Sequence, residues 1–71
     1  MTAQVQRDFL VNYIVDKLTE YLVADNNMEL ADALKTVYQS KVYQLLQDEE
    51  GELYTQSPSY IYELLRKELM Q

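Results

Sequence analysis

The stretch from Phe9 to Leu22, FLVNYIVDKLTEYL, constrains the fold of this chain more than any other. At about 100° per residue on an α-helix, Leu10, Val11, Ile14, Val15, Leu18, Tyr21 and Leu22 share one arc, and Asn12, Asp16, Thr19 and Glu20 fall outside it. That pattern predicts a core-facing helix. Phe9 and Tyr13 lie on a separate side, close to Val5 and Val23, so the same helix is expected to be covered on two flanks, either in the middle of a bundle or against a partner chain.

A chain of 71 residues makes one domain, here residues 1–71, and at this size buries only about 60% of the surface its unfolded form exposes. Neither usual staple of a small fold is on hand. Cysteine is absent, which removes disulfides, and with histidine absent too there is no ordinary zinc site. Tight helix packing or oligomerisation must supply the difference. Hydrophobic residues make up 48% of the chain, enough for a folded core.

The remaining elements follow from caps and periodicity. The first helix is expected to start near Thr2 to Gln4, with Thr2 as N-cap, and to end near Ala24. Asp25-Asn26-Asn27 then breaks it, and Asn27 is the expected N-cap of a second helix, Met28 to about Gln39, whose inner face would be Leu30, Ala33, Leu34, Val37 and Tyr38. Ser40 is a plausible cap for a short third helix through Leu46. Residues 28–47 as one continuous helix is the alternative.

The acidic segment Asp48 to Glu52 holds the only glycine and reads as a solvated loop, followed by an irregular piece pinned to the core by Leu53 and Tyr54. Ser57-Pro58 reads as N-cap then first helical residue of a terminal helix reaching about Met70. Its inner face is expected at Tyr60, Ile61, Leu64, Leu65 and Leu69, with Glu63 and Lys67 as an i,i+4 ion pair. The sum is an all-α fold, a compact bundle of three main helices plus one short helix.

Charge narrows the function classes. Twelve acidic residues against six basic ones give a net charge of −6, and no basic run marks a phosphate-tracking face, so nucleic acid is not an expected partner. A helix-turn-helix reading of Met28 to Leu46 fails on the same ground, since only Lys41 supplies a cation to its second helix. No apolar run is long enough for a membrane span and no secretory leader is recognisable, which makes the cytoplasm the expected location.

Catalysis has little to work with. No histidine titrates near neutrality, no cysteine offers a nucleophile, and the lone Gly51 cannot build a phosphate cradle. The carboxylates at Asp48, Glu49, Glu50 and Glu52 lack the alternating ligand spacing of a calcium loop. No catalytic, cofactor-binding or metal-ligating residue is therefore assigned, and Ser57 is explained by capping rather than by phosphorylation.

Seven tyrosines and one phenylalanine with no tryptophan remain to be accounted for. Most sit at helical spacing and suit the rim of a small core, where the ring is buried and the hydroxyl reaches water. Four residues are the candidates for contact with a partner: Phe9 and Tyr13 on the second side of the first helix, Tyr54 in the irregular segment, and Tyr62 at the edge of the terminal helix's apolar arc. The expected partner is another protein or the chain itself, as a homodimer.

The C-terminal two thirds, through Tyr38 to Leu46, Gly51 to Tyr54 and Ser57-Pro58-Ser59-Tyr60-Ile61-Tyr62-Glu63-Leu64-Leu65, resembles a group of short bacterial proteins grouped as a domain of unknown function. The resemblance implies a small helical cytoplasmic protein. Similar proteins are in some cases encoded beside toxin-like genes, which implies an antitoxin-like or accessory binding role and supplies no catalytic residue.

Overall fold

The computed structural model describes residues 3–71, with side chains from Val5 onward; the Thr2 cap lies outside the described residues. Four α-helices and one 3-10 turn follow in order: α1 (Ala3–Asn26), α2 (Leu30–Tyr38), α3 (Lys41–Leu46), the 3-10 turn Leu53–Thr55, and α4 (Pro58–Leu69). No strand occurs among the described residues, so the all-α bundle of three main helices and one short one is the observed architecture.

Helix α1 sets the dimensions. Its 24 residues span about 36 Å at 1.5 Å per residue, matching the 37 Å long axis of the molecule. α2, α4 and the 3-10 turn lie against it, and α3 packs on α4. Val11, Ile14, Val15, Leu18 and Leu22 supply α1's share of the core, and Ala33, Val37, Val42, Leu46, Ile61, Tyr62 and Leu65 close over them. Burial of each such Leu, Ile or Val contributes about 1.5–3 kcal/mol.

Thr19, expected outside the arc, is buried. Its hydroxyl donates to the Val15 carbonyl at 2.7 Å, so the polar atom is satisfied within the helix and its methyl is free to pack. Leu10, expected inside, is 36% exposed.

The turn after α1 differs from the sequence reading. Asn27 does not cap α2. It takes a left-handed conformation (φ 56°) that ends α1, a role asparagine fills because its short side chain tolerates that region. α2 starts at Leu30 instead of Met28, behind an extended Glu29 whose side chain makes no capping bond.

Only Ala33 and Val37 of α2's expected face are fully buried. Leu34 is half-buried, and Leu30 and Tyr38 point outward.

Residues 28–47 are two helices. Ser40 is extended (ψ 156°), accepts from the Tyr43 amide at 3.1 Å and donates to the Val37 carbonyl at 2.6 Å, so one hydroxyl caps α3 while binding the end of α2. The start of α3 is held a second time from outside. Glu68 of α4 accepts from the amides of Lys41 at 2.9 Å and Val42 at 3.1 Å, covering two N–H groups that no helix carbonyl can reach.

In the acidic loop, Asp48 accepts from the Glu50 amide at 3.1 Å and Glu49 pairs with Arg7 of α1. The left-handed residue here is Glu52 (φ 53°), not the neighbouring Gly51. Ser57 caps α4 as expected, accepting from the Tyr60 amide at 3.2 Å, with Pro58 at the first helical position. Glu63 pairs with Arg66 at 3.1 Å rather than with Lys67.

Candidate protein-interaction surface

Each of the four candidate contact residues has a definite place. Phe9 is 71% exposed and Tyr13 is 47% exposed, on the outer side of α1. Tyr54 is half-buried, its ring packed on the core beside Leu53. Tyr62 is a core residue, 6% exposed, and this corrects the expectation that it meets a partner.

The correction has a rotational cause. Ile61, Tyr62 and Leu65 at i, i+1 and i+4 form an arc as acceptable as the expected one of Tyr60, Ile61, Leu64, Leu65 and Leu69, turned from it by roughly 50°. The structure uses that arc, and Tyr60 and Leu69 turn out to solvent. Tyr62 stacks obliquely on Tyr21 with ring centroids 4.9 Å apart, and its hydroxyl donates to Asp25 Oδ2 at 2.9 Å. Burial, and then the hydrogen bond to the Asp25 carboxylate, push the Tyr62 hydroxyl above its ordinary pKa.

Of the four candidates, Phe9 and Tyr13 remain exposed, in a row on α1. Val5, Phe9 and Tyr13 follow one another at i, i+4 and i+8, with Leu10 alongside, at about 180° from Leu18 on the core side. Val5 is 49% exposed. Val5, Gln6, Phe9 and Leu10 line an open hollow of about 520 Å³. Lys17 ends the row, its ammonium 5.8 Å from the Tyr13 ring centroid and 3.3 Å from Glu20, whose hydrogen bond and charge raise the lysine's pKa.

The helix is thus apolar on both sides over its first half and on one side over its second, where Asp16, Lys17 and Glu20 occupy the outer face.

Comparison of the chain with protein-family models, with curated proteins and with solved structures finds no match.

A second hollow, of about 480 Å³, lies between the end of α1 and α4 around Asp25, Tyr62 and Arg66. Its polar groups already serve one another, Tyr62 with Asp25 and Arg66 with Glu63. No group of three or more potential metal ligands gathers among the described residues, and no described helix is long and apolar enough to cross a membrane.

Two placements were missed in the sequence. Arg7 is turned inward, its side chain 13% exposed, reaching Glu49 and, at 3.7 Å, Asp8. Its spacing to Val11 and Ile14, i+4 and i+7, sets it on the core side of α1, a position easily discounted for a charged residue. Glu68 as a remote cap left no local signal, because its partners lie 27 and 26 residues away.

Proposed function

We propose that this protein is a small acidic interaction module without chemistry of its own, acting in the cytoplasm by binding another protein through the outer row of α1. The observation that carries the reading is Phe9, 71% exposed in the middle of a row with Tyr13, Leu10 and Val5. Isolated apolar side chains on a surface are ordinary, but aromatic and aliphatic residues grouped on one helix face supply the anchors from which interfaces gain most of their binding energy. The resemblance to short proteins encoded beside toxin-like genes makes the product of a flanking gene the first candidate, in an antitoxin-like or accessory role.

The test is co-expression with each flanking gene product, followed by size-exclusion chromatography. One product is expected to co-elute with the wild-type chain and to be released by Phe9→Ser, while Met70→Ser, at another exposed apolar side chain, retains it. Equal retention by both variants would remove the outer row from the interface, and no co-eluting product would defeat the reading.

The same row favours a second reading, a homodimer in which two α1 helices cover one another. Sedimentation separates them, since a monomer from micromolar to millimolar concentration leaves only the heteromeric reading.

A further inference from the structure

The fold places charge beside the apolar row in a way the linear sequence does not. Glu49 is 42 residues from Arg7 along the chain, yet the ion pair between them fastens the acidic loop to the turn that also carries Gln6 and Leu10. Asp48, Glu50 and Glu52 belong to the same loop as Glu49, and all four are exposed. On α1 itself Asp8 stands at one edge of the row and Asp16 continues its line beyond Tyr13, both exposed.

Among the described residues, the two cations of α1 are committed. Arg7 is directed inward to Glu49 and Asp8, and Lys17 is held by Glu20. The described lining of the hollow, Val5, Gln6, Phe9 and Leu10, therefore lies on a part of α1 whose exposed charged neighbours are acidic.

Building on the interaction-module reading, we infer that the occupant of this row is a basic amphipathic helix of another protein: an apolar stripe seated on Phe9, Leu10 and Tyr13, with lysines or arginines bordering the stripe that meet Asp8, Asp16 and the acidic 48–52 loop. Helix-on-helix seating suits a straight row at i, i+4 and i+8. Charge selects among partners more than it adds affinity, because a like-charged rim is repelled on approach. A second copy of this chain would set the same acidic flanks against each other, with −6 on each copy. The observations thus favour a foreign basic helix over self-association.

Two designed amphipathic helical peptides with identical Leu/Phe stripes and a single Trp, one flanked by Lys and the other by Glu, provide the probe, read by Trp fluorescence anisotropy against the intact chain. The Lys peptide is expected to bind at least about tenfold more tightly than the Glu peptide, with the margin shrinking as salt rises from about 50 to 500 mM. Phe9→Ser and the double reversal Asp16→Lys/Glu50→Lys are each expected to weaken the Lys peptide by about tenfold or more, while Met70→Ser changes nothing; circular dichroism verifies that each variant is folded.

Equal affinity for the two peptides, or a Lys-peptide affinity indifferent to Phe9→Ser, would overturn the inference. A wild-type dimer dissolved by Phe9→Ser would overturn it as well, assigning the row to a second copy. If the charge preference fails while Phe9→Ser still releases a co-eluting neighbour, the partner's chemistry is wrong and the interaction-module reading stands.

Discussion

The Tyr62 hydroxyl donates to Asp25 Oδ2 at 2.9 Å, joining the first half of α4 to the last turn of α1 across 37 residues of chain. Asp25 is exposed and keeps its hydration when the bond is lost, so Tyr62→Phe is expected to cost about 0.5–1.5 kcal/mol in urea unfolding at pH 7. Because the folded-state pKa of Tyr62 lies above its unfolded value near 10, the native state holds this proton more firmly than the unfolded chain. Its stabilising contribution is complete below that unfolded value and disappears as pH rises through the folded one. The wild-type advantage over Tyr62→Phe should therefore shrink on titration from pH 9 upward; an advantage that grows would contradict the burial of this ring.

Glu68 holds two amides at the start of α3, a helix of six residues with little means of sustaining itself. Glu68→Ala is expected to cost about 1–2 kcal/mol, and Glu68→Gln, which keeps one acceptor oxygen, less. Amide hydrogen exchange gives the sharper measurement. Lys41 and Val42 should lose protection selectively in Glu68→Ala, and unchanged protection there would remove Glu68 from the cap.

The tight turn before the 3-10 segment bends at Glu52, whose φ of 53° strains an L-residue by about 1–2 kcal/mol. Glu52→Gly should relieve that strain and raise stability by about 0.5–1 kcal/mol after its entropic cost. Gly51→Ala is expected to be neutral or slightly stabilising, since Gly51 has no positive φ and an added Cβ would stand 3.4 Å from Asp48 Oδ2. Thermal melts of the two variants test the assignment, and a large loss in Gly51→Ala would reverse it.

Leu18 and Phe9 sit on opposite sides of α1, fully buried and largely exposed respectively. Leu18→Ala is expected to cost about 2–5 kcal/mol, a large share of what so small a domain has, while Phe9→Ser should stay within about 0.5 kcal/mol. Chemical denaturation of the pair establishes whether Phe9 is free for use outside the core. A comparable loss in both would mean that Phe9 supports the fold.

Helices were legible where a local signal was strong. Ser57-Pro58 and Ser40 each announce a boundary through chemistry contained in two or three residues, and both caps form. Val11, Ile14, Val15, Leu18 and Leu22 are buried as their spacing demands. Rotation about a helix axis was less legible in α4, where neighbouring apolar positions permit two arcs and the choice is made by what Tyr21 and Asp25 offer to Tyr62.

Asn27 misled because asparagine serves equally as the start of one helix and the end of another, and only the backbone angle distinguishes these roles. At the candidate surface, Phe9 and Tyr13 were visible as a second apolar side of α1. The attachment of the acidic loop to α1 was not, because the Arg7–Glu49 contact is a tertiary event.

Helix α1 has apolar residues on two opposed sides over the same turns, with Val11 inward and Phe9 and Tyr13 outward. A single residue inserted between Tyr13 and Leu18 would swing everything beyond it by about 100° relative to everything before it. Whichever side the bundle then retained, the other would point the wrong way. Side chains along the helix can change one at a time, but a change in its length between those positions breaks the register of Val11 and Ile14 with Leu18 and Leu22.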